Sequence, residues 1–219
     1  MATAPHPTCL LLDIGGVLEL TPDTGWLTRW AERLGLAPGT VNCLLGETWH
    51  AGSVGDIDEG EVRARVTAAL HLDTPQVDAF MADLWDEYLG SPNVELLSYV
   101  RELSDRQDLR IGILSNSFVG AREREADRYR LDALVERPEH LVYSHEIGIL
   151  KPDPRAFAVA CTTLQVRPED CLFVDDAAPN VEAARAAGMQ AHLFTDNAGT
   201  LTRIAAHLGR VGQVGQGAA

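Results

Sequence analysis

The chain has 219 residues, 46% hydrophobic and 23% charged, with a formal net charge of -14; this is a globular composition that excludes wholesale disorder, and the length suits one domain with an insertion or two small ones. A sequence pI near 4.8 opposes extended contact with a polyanion, so no nucleic-acid partner is expected, and an anionic small ligand needs a local cation to hold it. No stretch approaches membrane-spanning length, and Met1 to Thr8 carries two prolines and no apolar segment of signal-peptide length, so no membrane association and a cytoplasmic location are expected.

The apolar run Cys9-Leu10-Leu11-Leu12 stops at Asp13 and turns at once through Gly15-Gly16. Such a run suits a parallel strand covered on both faces, with Asp13 at the carboxyl tip where ligands of open α/β sheets gather. From Thr21 to about Ser91 the pattern is helical with no convincing strand, which marks an insertion. Pro22-Asp23-Thr24 opens a helix through Leu34, ended by Gly35, and Gly52 to Gly55 is a loop. Asp58 with Glu61 has the form of a capping box for a helix through Leu70, and Pro75 opens another to about Leu89. Asp56-x-Asp58 is rejected as a calcium loop because Glu61 stands where that loop needs glycine. Trp26, Trp30, Trp49, Trp85 and Tyr88 read as a small aromatic core, and His50 as a partly exposed, hydrogen-bonded histidine.

From Val94 helices and strands alternate. A helix through Ser104 precedes the strand Arg110 to Leu114, which ends at Ser115-Asn116. In the following helix, about Val119 to Tyr129, the run Arg122-Glu123-Arg124-Glu125 reads as a solvated face. Next come the strand Leu141 to Ser144, the loop Gly148 to Pro154 carrying Lys151, and the helix Arg155 to Leu164. The strand Cys171 to Val174 ends at Asp175-Asp176 and is followed by a helix from about Asn180 to Ala187 that stops at Gly188. A strand Ala191 to Phe194 and a helix ending near His207 complete the series, and the glycine-rich tail reads as flexible. This alternation predicts an α/β fold with a doubly wound parallel sheet. Cys9, Cys43, Cys161 and Cys171 are widely spaced with no metal-ligand pattern, so all four are expected as buried free thiols.

Polar residues thus end four successive segments: Asp13, Ser115-Asn116, Lys151, and Asp175-Asp176 with Asn180. Singly, each has a structural reading as a cap, a turn former or a surface lysine. Jointly, with a helical insertion directly after the first strand, they resemble the haloacid dehalogenase superfamily, in its phosphatase-rich branch with a small helical cap. The stretches Ile149-Leu150-Lys151-Pro152-Asp153 and Phe173-Val174-Asp175-Asp176 through Asn180 to Gly188-Met189 carry the resemblance, which covers nearly the whole chain. It implies a Rossmann-like core over 1–18 and 94–209, a helical cap over 19–93 and a tail over 210–219. It also implies Asp13 as nucleophile, Ser115 and Asn116 as phosphate-binding groups, and Lys151 as a third element of both catalysis and binding. Mg2+ would be held by Asp13, Asp176 and the backbone carbonyl of Gly15, with Asp175 and Asn180 in support.

Physical chemistry agrees with those roles. A phosphomonoester dianion repels a carboxylate nucleophile, so a divalent ion must bridge them and Lys151 must offset further charge. Attack by Asp13 would give an aspartyl-phosphate that water hydrolyses. The expected function is Mg-dependent hydrolysis of a small phosphorylated metabolite, and the sequence leaves oligomeric state open. One departure stands out. The residue two after the nucleophile is normally a second aspartate acting as acid and base, worth about a hundredfold to ten-thousandfold in rate, and here it is Gly15. Glu19 and His50 are candidate substitutes. The same departure resembles a sub-branch that includes sugar-1-phosphate phosphatases. The alternatives are a 2-haloacid dehalogenase-type hydrolase, which needs no metal and no acidic pair, and a binding or regulatory protein that has lost catalysis. Asp13-Ile14-Gly15-Gly16 also resembles the phosphate loop of actin-like sugar kinases, but Val17 replaces their threonine and Lys151 would be left unexplained. A receiver module would carry its acidic pair early, and here the pair comes last.

Overall fold

A computed structural model describes residues 7–214. Strand β1 (Thr8–Leu12) is followed by the short β2 (Glu19–Leu20), then by helices α1 (Trp26–Arg33), α2 (Thr40–Ser53), α3 (Glu59–Leu70) and α4 (Thr74–Leu89), and by β3 (Ser91–Pro92). The remainder runs α5 (Val94–Leu103), β4 (Leu109–Ser115), α6 (Ala121–Tyr129), β5 (Leu141–Tyr143), α7 (Ser144–Ile147), α8 (Pro154–Leu164), β6 (Cys171–Asp175), α9 (Ala178–Ala186), β7 (Gln190–Leu193) and α10 (Asn197–Val214).

Five strands form one parallel sheet in the order β5-β4-β1-β6-β7. The chain leaves β1 for β4 and β5 on one side, then returns to build β6 and β7 on the other. The strand order therefore reverses at β1, and the crevice outside its carboxyl end is where ligands of such sheets bind. All five residues of β1 are buried, as the uninterrupted apolar run requires. Leu10 and Leu12 pack with Ile111, Ile113, Leu172 and Val174 beneath α5 and α10. Cys9 and Leu11 pack with Leu114, Cys171 and Phe173 beneath α8 and α9.

The helices between β2 and β3 have an aromatic centre of their own. Trp26 and Trp30 meet the Phe80 ring edge-on at 4.9 and 5.2 Å, and Trp49 stacks on it at 6.4 Å. Phe118, Val119 and Ala121, which follow β4, join that cluster and seat the inserted helices on the sheet.

Several local expectations need correction. Helix α2 occupies residues 40–53, so Gly52 lies inside a helix, where its missing side chain leaves the space taken by the Phe118 ring. Asp58 caps α3 by accepting from Glu61 N at 2.8 Å, but the Glu61 side chain turns to Arg65 instead of closing the box. The reciprocal box forms one helix later, between Asp73 and Gln76, at 2.9 Å in both directions. The antiparallel pair β2–β3 was not foreseen, because two residues per strand carry no periodicity. Cys43 is exposed, since α2 buries Val41, Leu45, Thr48 and Gly52 and turns Cys43 to the other side; Cys9, Cys161 and Cys171 are buried and free. Helix α10 continues to Val214, so the helix runs into the first five residues of the expected tail: with Ile204 and Leu208 anchored on the sheet, further turns propagate without the cost of nucleation. The rest of that expected tail, 215–219, lies outside the described residues.

Candidate active site

Asp13 follows β1, Ser115 closes β4 and Asp175 closes β6, the two strands that flank β1. The topology therefore converges them on the crevice. Asp13 is anchored by its N–H, which donates to Val174 O at 3.0 Å, while its Oδ1 accepts from Ile14 N at 2.8 Å. Lys151 Nζ lies 2.8 Å from that same Oδ1 and 2.7 Å from Asp175 Oδ2, and the lysine side chain is fully buried. Burial pushes the Asp13 carboxyl from 3.8 up to about 7, against the pull of the Lys151 charge and with the help of the Asp175 charge.

Lys151 reaches this position because Asn116 grips its backbone from both sides. Lys151 N donates to Asn116 Oδ1 at 2.7 Å, and Asn116 Nδ2 donates to Lys151 O at 2.8 Å. Asp175 is wholly buried and accepts from Lys151, from Ala177 N at 2.8 Å and from Asn180 Nδ2 at 3.0 and 3.1 Å. Its lone pairs are thus spent inside the protein. Asp176 is exposed, and burial of part of its surroundings raises its carboxyl pKa, with Asp175 adding to the shift. Gly16, at φ 70°, permits its approach, for a Cβ there would fall on the Asp176 carboxylate.

Oxygens of Asp13, Asp175 and Asp176 lie within 4.8 Å of one another. An all-oxygen donor set with one exposed carboxylate fits a hard divalent cation such as Mg2+, which keeps waters and uses one or two carboxylates. Asp13 and Asp176 are the two with capacity left, and Asp175 serves as the brace.

Ser115 is buried at the end of β4, and the loop beyond it is fixed by Ser117, whose N–H donates to Ser144 Oγ at 2.8 Å and whose Oγ lies 2.6 Å from His145 Nδ1. Ser144 Oγ in turn donates to Ser53 O of α2 at 2.8 Å, tying the inserted helices to this loop. A 280 Å³ cavity opens beside it, between Asn116, Ser117 and Phe118 on one side and Trp26, Trp49 and Tyr88 on the other.

The two proposed substitutes for the acid separate. Glu19 is buried 1% exposed beside the Asp13 turn, whereas His50 is exposed and lines a different cavity with Asp153 and Arg155. Glu125 was missed. Its sequence run read as solvated, yet Glu125 is 2% exposed, near Tyr88 of α4 and Tyr143 of β5, and burial pushes its carboxyl up to about 8. The neighbouring Arg124 pairs with Glu59 of α3 at 2.9 Å, and Arg122 pairs with Glu146 and covers the Tyr143 ring, so the run is an interface between segments.

Comparison with known proteins gives the same picture. A model of the haloacid dehalogenase-like hydrolase family matches residues 28–188. The chain is 34% identical over 117 residues to a phosphatase of Mycobacterium tuberculosis (53% of each chain), and 32% identical over 146 residues to an N-acetylmuramic acid 6-phosphate phosphatase of Pseudomonas aeruginosa (62% of each). These matches span little more than half the length of those two relatives. A plasmid phosphoglycolate phosphatase of Cupriavidus necator is 33% identical over 202 residues, 86% of this chain and 81% of that one. Among solved structures, a HAD family enzyme of Bacteroides thetaiotaomicron superposes with a TM-score of 0.73 at 20% identity, over 87% of this chain and 95% of that one. With the family model spanning well over half of the sequence and the sheet superposing on an enzyme of the same family, the chain belongs to the haloacid dehalogenase-like hydrolases.

Proposed function

We propose that this protein is a Mg2+-dependent phosphatase of small phosphomonoesters that works through an aspartyl-phosphate on Asp13, with residues 19–93 as a cap over the site. The observation that carries this reading is the charge balance at the crevice: three clustered carboxylates face the single ammonium of Lys151. Such a site repels a dianionic ester unless a divalent cation joins it. The relatives support the reading, since three of them are named as phosphatases. A further structure of the Bacteroides enzyme is described as a complex with magnesium and inorganic phosphate.

In this mechanism Asp13, Asp176 and the Gly15 carbonyl would hold the cation. When bound, the ion offsets the phosphoryl charge and orients the ester. Lys151 neutralises charge on the transferring oxygens while it keeps Asp13 in place, and the Ser115 hydroxyl with the backbone amide of Asn116 holds those oxygens, the Asn116 side chain being committed to the Lys151 backbone. Asp13 attacks phosphorus and the leaving alcohol departs; water then cleaves the acyl phosphate. Asp175 and Asn180 keep Lys151 aligned through both steps. The substrate is a small phosphorylated metabolite, with sugar phosphates among the candidates, and the setting is cytoplasmic; no helix among the described residues is long and apolar enough to cross a membrane.

Gly15 favours a second reading, a 2-haloacid dehalogenase-type hydrolase, because that chemistry dispenses with the second aspartate. Phosphate release from a panel of sugar 1-phosphates, sugar 6-phosphates, nucleotides and acyl phosphates, with Mg2+ and with excess EDTA, tests the proposal. Turnover of phosphomonoesters that EDTA abolishes is the expected result. Halide release from 2-haloacids that survives EDTA would replace it with the dehalogenase reading, and no turnover of either class would leave a binding protein.

A further inference from the structure

Gly15 removes the acid from its usual position, but the structure refills the space. The backbone at Gly15 is not left-handed, unlike that of Gly16 beside it, so a side chain at position 15 would project without strain. The nearest atom that a Cβ at this position meets is Glu19 Oε2, at 4.0 Å. The turn delivers Glu19 there: the N–H groups of Val17, Leu18 and Glu19 all converge on Ile14 O, at 3.1, 2.9 and 2.9 Å, and Glu19 bridges back to Gly15.

The carboxyl group is set into a fitted slot. Glu19 is buried, and its Oε2 accepts from Thr21 Oγ1 at 2.6 Å. Its Oε1 is buried with no hydrogen-bond partner among the described residues. Gly90, just before β3, leaves room for it, since a Cβ at Gly90 would fall on Glu19 Oε1. A buried carboxyl oxygen without a partner is costly to keep charged; Oε1 lies on the Gly90 side, while Oε2, bonded to Thr21, faces position 15. Glu125 also has a partnerless buried oxygen, and its carboxyl feels the charges of Asp13 and Glu19; but it comes from α6 on the Tyr88–Tyr143 side, and Glu19 is the residue that a Cβ at position 15 would meet within 4 Å.

We propose that Glu19 is the catalytic acid and base of this enzyme, its longer side chain reaching from four residues further on into the place that the absent side chain of residue 15 leaves. The proposal rests on the phosphatase reading and adds the missing proton carrier to it. In the first half, Asp13 bonds to phosphorus, the bond from phosphorus to the ester oxygen breaks, and that oxygen takes the Glu19 proton to leave as an alcohol. In the second half, the Glu19 carboxylate takes a proton from water as the water oxygen bonds to phosphorus. The bond from phosphorus to Asp13 breaks, and inorganic phosphate leaves a free Asp13 carboxylate and a reprotonated Glu19.

The test compares an alkyl ester, glycerol 3-phosphate, with an aryl ester, p-nitrophenyl phosphate, in the wild type, Glu19→Gln, Gly15→Asp, the double variant and Glu125→Gln, all with Mg2+. Glu19→Gln should lose about a hundredfold or more in kcat/KM on the alkyl ester. On the aryl ester, whose leaving group needs no proton, it should give a burst of nitrophenolate followed by slow turnover. The double variant should recover a tenfold or greater part of the alkyl activity, whereas Gly15→Asp alone should gain little because the place is already filled. Equal losses of Glu19→Gln on both esters without a burst, wild-type rates on both, or the selective loss appearing in Glu125→Gln instead would overturn the role of Glu19 and leave the phosphatase intact. A tenfold selective gain in Gly15→Asp alone would do the same. A wild type that releases phosphate from neither ester nor the wider panel overturns the phosphatase reading itself.

Discussion

Lys151 Nζ and Asp13 Oδ1 form a 2.8 Å ion pair in which the lysine side chain has no exposure at all. A buried ammonium shared between Asp13 and Asp175 stabilises those two carboxylates against each other as well as any ligand. Removing the charge while keeping the stem, as in Lys151→Met, leaves two desolvated carboxylates facing each other. Breaking a buried pair in this way costs about 3–5 kcal/mol, so the melting temperature should fall along with kcat/KM for phosphomonoesters. Asn116→Ala frees the Lys151 backbone without touching the charge, and should lower kcat with a smaller loss of stability, on the order of 1–2 kcal/mol. Thermal melts and phosphate release on both variants check this; unchanged kcat/KM in Lys151→Met would reduce the lysine to a structural strut.

Asp13→Asn keeps the volume at the tip of β1 and the acceptor for Lys151, and it removes the nucleophile. The variant should fold, with a melting temperature close to wild type, and release no phosphate. Excess EDTA should silence the wild type to the same extent, and added Mg2+ should restore it. Hydrolysis by Asp13→Asn at near wild-type rate would remove Asp13 as the nucleophile, and full activity in EDTA would remove the metal.

Glu125 gives the fold a pH dependence of known sign. Burial raises its carboxyl from 4.5 up to about 8, so the folded chain keeps a proton that the unfolded chain gives up. Below the lower value both states hold the proton and the group contributes nothing. Between the two values stability falls as pH rises, by at most about 1.4 kcal/mol per pH unit for one proton, and above the upper value the loss is complete. Glu125→Gln has no proton to lose, so its denaturant midpoint should change less from about pH 5 to pH 8 and should exceed that of the wild type at the upper end. Parallel curves for the two proteins would mean that Glu125 ionises as freely in the fold as out of it.

Asp13 and Asp175-Asp176 were legible because each sits at the end of an apolar strand, and one-dimensional order fixes which strand ends meet once the sheet is parallel; Lys151 lies in a loop held by Asn116 and was legible only through the resemblance that its stretch carries. Glu125 was not, because its burial is supplied by Tyr88 and Tyr143, on α4 and β5, and no local pattern reports a cover that comes from elsewhere. Helix α2 was hidden for a related reason. Two of its four buried positions are Thr48 and Gly52, so the apolar period breaks where a core-following phenylalanine supplies the bulk instead. Gly15 could be read as a missing acid with Glu19 and His50 as candidate substitutes, but what sets Glu19 beside position 15 is a tight turn and the room left by Gly90, some seventy residues away.

The charge of the cavity beside Asn116 bears on which esters fit. Its walls are Trp26, Leu27, Trp49, Leu84, Tyr88 and Phe118, and among the described residues its one charged lining residue is Glu87. That carboxylate is already committed to Thr24, accepting from the backbone N–H at 2.9 Å and from the hydroxyl at 2.5 Å. A leaving group with a second carboxylate or phosphate would lose its hydration there with no cation in return, a cost that neutral groups escape. Esters of neutral alcohols should therefore exceed 2-phosphoglycolate in kcat/KM by tenfold or more, even though one relative is named for that substrate. Leu84→Arg places a guanidinium at the cavity wall and should shift the ratio toward phosphoglycolate by a further order of magnitude, through both better binding of the anion and poorer packing of apolar groups. The measurement is kcat/KM for phosphoglycolate and for a neutral-alcohol ester in both proteins, with circular dichroism to establish that the variant is folded. If wild type prefers phosphoglycolate, or if a folded Leu84→Arg leaves the ratio unchanged, the leaving group does not occupy this cavity.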